Sequence, residues 1–211
     1  MTATTTGERR GLLRRALRLE YLTVGWNVVE GLVAVTAGIA AGSVALLGFG
    51  IDSFVESASG SVMIWRLHAE RRAEDEERVE QVEQRARRLV AASLVLLAVY
   101  IGWDSVTSLA AGERPEPSPV GIALGLASIA VMRWLARAKR AVGVALGSRA
   151  MAADAFQTDA CFWLSVFLII GIGANALVGA WWADPIAALA MTALIGREAL
   201  EAWRGEEAEA S

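Results

Sequence analysis

The chain has 211 residues, of which 55% are hydrophobic and 20% charged, with a net charge of −3, one Cys and one His. Soluble domains carry about 45–50% apolar residues even with glycine counted. An excess of this size, before 20 glycines are added, excludes disorder, a disulfide-stapled domain and most soluble enzymes. One Cys closes no internal disulfide, and the charge balance carries no signature of a nucleic-acid partner, so none is expected.

A hydrocarbon core about 30 Å thick takes about 20 mostly apolar residues per helix. Six stretches meet that length, at about 19–41, 43–65, 89–111, 119–135, 148–177 and 182–203. Residues 1–18 are polar and basic with no apolar h-region, which predicts a cytosolic segment and no cleavable signal peptide. Gly42 joins the first two stretches directly. Residues 67–88 mix Glu and Arg at i, i+3 and i, i+4 spacing, predicting a salt-bridged cytosolic extension of helices two and three. Pro115, Pro117 and Pro119 stop helix three and stiffen the next link. Residues 148–177 and 182–203 meet around Gly179, and 205–211 form a short cytosolic tail. The predicted domains are therefore 1–18, a transmembrane unit over 19–204, and 205–211.

Orientation follows from the basic residues. Every Lys and Arg except Arg114 falls on one side of this scheme, Lys139 and its arginine neighbours included. The positive-inside rule then places both termini in the cytosol. The expected fold is an all-α integral membrane protein of the cell membrane, with lipid as its surroundings and six transmembrane helices.

Ionisable residues inside such spans are costly and mark functional sites. Asp52 and Glu56 sit at i, i+4 in the second stretch, so both carboxylates share a helical face. Counted from Arg66 at about 1.5 Å per residue, they lie about 21 and 15 Å deep. In the fifth stretch Gln157 and Cys161 form another i, i+4 pair, about 12 and 18 Å in from Arg149. Antiparallel helices bring Glu56 level with Gln157 and Asp52 level with Cys161. Asp154 precedes Gln157 by three on the same stripe, whereas Asp159 is rotated about 140° away. Asn27 and Glu30 share a face of the first span and either line a path or bond to neighbouring helices. Asp104 lies near the outer mouth, where a structural role is expected, and His68 lies at the cytosolic boundary, where solvation is expected.

Two carboxylates side by side in low dielectric repel, and a divalent cation relieves that repulsion. Carboxylate oxygens suit hard cations and a thiolate suits softer ones, so the set Asp52, Glu56, Gln157 and Cys161 is mixed and names no single metal.

At these residues the chain resembles the cation diffusion facilitator (cation efflux) family. The run Ser43-Val-Ala-Leu-Leu-Gly-Phe-Gly-Ile-Asp-Ser-Phe-Val-Glu56 looks like that family's second-helix signature. The run Ser148-Arg-Ala-Met-Ala-Ala-Asp-Ala-Phe-Gln157, followed by Cys161, resembles its fifth helix, and Trp181-Trp-Ala-Asp-Pro-Ile-Ala-Ala188 the start of its sixth. The resemblance implies a cation-efflux-like bundle, a homodimer, and proton-coupled export of divalent metal by alternating access between helices two and five. Carried over, the ligands fall on Asp52, Glu56 (Glu for the usual Asp), Gln157 and Cys161 (for His and Asp), with Asp154, Asn27 and Glu30 along a possible pathway. The substituted ligands leave Zn²⁺, Fe²⁺, Mn²⁺, Co²⁺ or Cd²⁺ as the transported metal, with Cys161 favouring zinc or another thiophilic ion. The sequence also resembles a transmembrane-only branch without the family's cytosolic C-terminal domain, like the short vertebrate vesicular zinc-transport relatives. The alternative is a non-transporting membrane protein with a structural or sensory metal site. Enzymatic chemistry is not expected, because no Ser-His-Asp set forms around His68 and no Gly-rich phosphate loop is present.

Overall fold

The computed structural model describes residues 6–72 and 76–207. They form six helices: α1 (Thr6–Ala41), α2 (Val44–Arg72), α3 (Glu76–Ala111), α4 (Pro119–Leu146), α5 (Arg149–Val178) and α6 (Ala183–Glu207). No strand occurs among the described residues. Each of the six apolar stretches lies within one helix to within a residue. The charged 67–88 extension is helical up to Arg72 and again from Glu76; residues 73–75 lie outside the described residues, as do 1–5 and 208–211. The fourth helix is longer than expected. It continues past Leu135 to Leu146, carrying the whole basic run from Arg133 to Arg140.

Local signals explain the helix ends. Ser118 caps α4 by accepting from the Gly121 amide, with Pro119 at the first helical position, where a missing N–H costs nothing. Ser148 caps α5 in the same way through the Met151 amide. Gly42, Gly112, Gly147 and Gly179 all stand at φ between 63° and 68°, the left-handed conformation that ends a helix without a Cβ penalty. The outer links are bonded to the bundle. The Glu116 amide donates to the Ala41 carbonyl, and Asn175 Nδ2 donates to the Pro115 carbonyl at 2.7 Å.

Among the described residues, α1, α3, α4 and α5 each hold an 18-residue stretch apolar enough to cross a membrane. Helices α2 and α6 are long enough, at 29 and 25 residues, yet their composition is diluted by buried polar side chains such as Asp52, Ser53, Glu56 and Asp184. These polar groups face inward. α2 packs against α1, α3 and α5, and α6 against α3 and α5. Large apolar side chains instead cover the outside: Leu96 is 71% exposed, Trp103 73% and Leu177 86%. Such a surface suits lipid and would associate in water.

Glycine sets how closely α1 and α2 approach. A Cβ on Gly50 would lie 2.7 Å from the Val35 amide nitrogen and 2.9 Å from Ala34 Cβ, and one on Gly38 would lie 2.8 Å from the Leu47 nitrogen. Backbone cannot yield as a side-chain tip does, so these positions hold the two helices in direct contact. Gly50→Ala is expected to destabilise the detergent-solubilised protein by about 1–3 kcal/mol through overpacking. Gly25→Ala, at a helical position with nothing within 4 Å, should gain up to about 1 kcal/mol. Thermal unfolding of both variants checks the contrast, and equal shifts would contradict the close-packed seam.

Candidate metal centre

The inner face of α2 carries Asp52 and Glu56, which are 3% and 4% exposed, and α5 brings Cys161, 3% exposed, against them. The Cys161 thiol donates to Glu56 Oε2 at 2.7 Å and lies 3.6 Å from Asp52 Oδ2. Three of the four expected ligands therefore meet between α2 and α5. The register differs from the simple depth count by about one helical turn. Cys161 serves both carboxylates, and Gln157 lies nearer the C-terminal end of α2, where its Oε1 accepts from Ser59 Oγ at 3.0 Å. As the side chains stand, no three His, Cys, Asp or Glu groups among the described residues converge in metal-holding geometry; the thiol sits between the carboxylates as their hydrogen-bond donor.

The remaining polar residues divide into distinct environments. Glu30 accepts from Trp26 Nε1 at 3.1 Å and from Ser53 Oγ, on α2, at 3.0 Å. Of the two roles open to it, bonding to a neighbouring helix is the one observed. Asn27 is fully buried, and neither of its amide atoms has a hydrogen-bond partner. Asp159 turns away from α2 to pair with Arg133 at 3.0 Å and Arg140 at 3.2 Å on α4. Ser165 Oγ donates to Ser128 Oγ at 3.0 Å and ties α5 to α4 one turn beyond Cys161. His68 is only partly exposed and sits within 3.1 Å of the Tyr21 hydroxyl, so the boundary histidine is held against α1 instead of standing free in solvent.

One set of residues corrects the sequence reading. Lys139, counted there with the basic residues around the link between spans four and five, is fully buried. Its Nζ lies 2.6 Å from Asp154 Oδ2 and 3.0 Å from Glu20 Oε2, so Asp154 is committed to a three-helix ion cluster of α1, α4 and α5. The signal was present in the sequence. The buried stripe of α4 runs Ser128, Met132, Leu135, Ala136, Lys139, Val142, Gly143, and its helical period passes through Lys139 while missing Arg137 and Arg140. At the other end, Asp184 accepts from Ser43 Oγ at 2.5 Å and from the Ala45 amide at 3.3 Å. It joins the start of α6 to the N-terminus of α2, where the helix dipole favours a carboxylate.

The cation efflux transmembrane-domain family matches residues 21–204. The chain belongs to the cation efflux family. Among curated relatives, it is 29% identical over 151 residues to an uncharacterized transporter of Synechocystis sp., covering 70% of this chain and 49% of that protein. It is 26% identical to the magnetosome protein MamB of Magnetospira sp. over 86% of this chain and 61% of MamB. It is also 26% identical to a probable cation efflux system protein of Mycobacterium tuberculosis, over 86% of this chain and 54% of that protein. The chain thus spans about half to three-fifths of the length of these relatives.

Removing one partner of a buried ion cluster leaves an uncompensated charge, at a cost of about 3–5 kcal/mol. Lys139→Met is expected to destabilise the protein by that amount in detergent. Adding Glu20→Gln and Asp154→Asn should restore most of the loss, because no buried charge is then left unpaired. Thermal unfolding of the single and triple variants decides it; a triple variant no more stable than Lys139→Met would contradict the cluster.

Proposed function

We propose that this chain moves divalent metal cations across the membrane as a proton-coupled antiporter working by alternating access. The cation binds between α2 and α5 at Asp52, Glu56 and Cys161, with Gln157 one turn toward the cytosol as a neutral oxygen donor. The observation that carries this reading is the buried thiol on two buried carboxylates at the junction of two helices. A cation entering there displaces the thiol proton and relieves the repulsion between Asp52 and Glu56, and protons take its place when it leaves. Membership of the cation efflux family supports the same assignment.

In this reading all six helices span the membrane with residues 19–204 as the transmembrane unit, and the basic flanks place both termini in the cytosol. Transport is outward, and the working unit is a pair of copies, as in the family. Zn²⁺ is the favoured substrate because a thiolate prefers borderline and soft ions, with Fe²⁺, Mn²⁺, Co²⁺ and Cd²⁺ as weaker candidates.

Reconstitution into liposomes with an imposed pH gradient tests the assignment. Wild type is expected to drive Zn²⁺ flux that depends on the gradient, and Asp52→Ala to abolish it. Cys161→Ser should weaken Zn²⁺ transport by about tenfold or more, with a smaller effect on Mn²⁺. Flux untouched by Asp52→Ala would overturn the site. Metal binding without flux in the wild type would identify a structural or sensory metal protein instead.

A further inference from the structure

Helix α1 presents a continuous buried stripe of polar residues to the bundle. Glu20, Thr23, Asn27 and Glu30 follow one another at helical spacing, and each is at most 1% exposed. Thr23 and Glu30 are satisfied, and Glu20 is satisfied at Oε2 alone, its Oε1 being buried without a hydrogen-bond partner. Glu20 holds Lys139 at 3.0 Å, Thr23 donates to the Leu19 carbonyl at 2.9 Å, and Glu30 accepts from Ser53 and Trp26. Asn27 differs: both its amide oxygen and its amide nitrogen are buried without a hydrogen-bond partner. Buried polar groups in folded proteins are nearly always paired, so an orphaned amide points to an absent ligand.

The packing of α1 on α2 fixes what stands at the level of Asn27. A Cβ on Gly60 would touch Val24, and one on Gly50 would touch Ala34 and Val35. Antiparallel counting between these contacts brings Asn27 opposite Ser57 and its neighbour Glu56. Glu56 is the residue whose Oε2 takes the Cys161 thiol, and its other oxygen, Oε1, is also buried and without a partner. Two unsatisfied polar side chains thus lie at one depth, on adjoining helices, beside the α2–α5 carboxylates.

We propose that Asn27 is a further ligand of the transported cation, its amide oxygen and Glu56 Oε1 closing the site on the α1 side opposite Cys161. The inference rests on the metal site of the proposed function and extends it from two helices to three. It makes the donor set richer in oxygen than the α2–α5 residues alone. Glu30, with both oxygens already engaged, adds negative charge nearby without ligating. Because an amide oxygen is a hard, neutral donor, Asn27 favours oxygen-seeking ions such as Mn²⁺ over thiophilic ones, tempering the preference set by Cys161.

Calorimetric titration of the full chain in lipid nanodiscs, with Mn²⁺ and Zn²⁺ as probes, tests this on four proteins: wild type, Asn27→Leu, Asn27→Asp and Asp52→Ala. Asn27→Leu is expected to weaken Mn²⁺ binding by about tenfold or more, with a smaller loss for Zn²⁺. Asn27→Asp, nearly isosteric, is expected to tighten Mn²⁺ binding. If both Asn27 variants bind each ion within about twofold of wild type while Asp52→Ala loses binding, the inference is overturned and the α2–α5 site stands. If Asp52→Ala binds like wild type, the metal site itself falls, and Asn27's role with it. Should Asn27→Leu not fold, Asn27→Asp decides alone, an unchanged Mn²⁺ affinity overturning the proposal.

Discussion

A carboxylate placed inside an apolar bundle must find a donor or a cation, and that requirement organises this molecule. Desolvating an unpaired charge costs far more than any single packing contact returns. The helices answer in several ways. Glu20 and Asp154 share Lys139, and Asp159 reaches two arginines at the more exposed edge of α4. Asp184 takes a hydroxyl and a backbone amide at the N-terminus of α2. Glu30 takes a hydroxyl and an indole N–H. Each of these links ties helices together or fixes one helix end.

Asp52 and Glu56 stand apart from this pattern. They lie on one face of α2, both almost fully buried, and the donor that reaches them is the weakly donating thiol of Cys161. Neither makes an ion pair among the described residues. Acids whose neutralisation is built into the fold serve structure, whereas acids left with a weak, displaceable donor are suited to a partner that comes and goes. The distinction is chemical, and burial alone does not make it: Asp154 is buried as well, yet it is already paired with Lys139.

Much of this was legible in the sequence. Block length predicts six helices, and i, i+4 spacing places Asp52 with Glu56 and Gln157 with Cys161. The 140° offset correctly turns Asp159 away from α2. What failed did so for definite reasons. Depth counting from flanking arginines assumes that both helices start at the same plane, and an error of about one turn moved Cys161 between the carboxylates and left Gln157 to Ser59. Assigning charges by side of the membrane treats Lys139 as one of a basic run, although the apolar period of α4 runs through it. Hydropathy alone finds four spans, because in α2 and α6 the residues that hold the bundle together also make those helices polar.

The two polar links at opposite ends of the bundle bear on how a cation could pass. Asp184 fastens α6 to the N-terminus of α2 at one end, and Lys139 fastens α1, α4 and α5 at the other, with the Asp52–Glu56–Cys161 cluster between them. The proposed alternating access requires that the site open to one side at a time. An opening that separates α1 from α5 must break the Lys139 cluster, and one that separates α2 from α6 must release Asp184. These bonds differ in cost. Exposing Lys139 and its two acids to water rehydrates all three charges, so their separation at a wetted mouth is far less expensive than the loss of one partner inside the closed bundle. The same ion cluster can therefore stabilise the closed arrangement strongly and still yield when water enters from its own end.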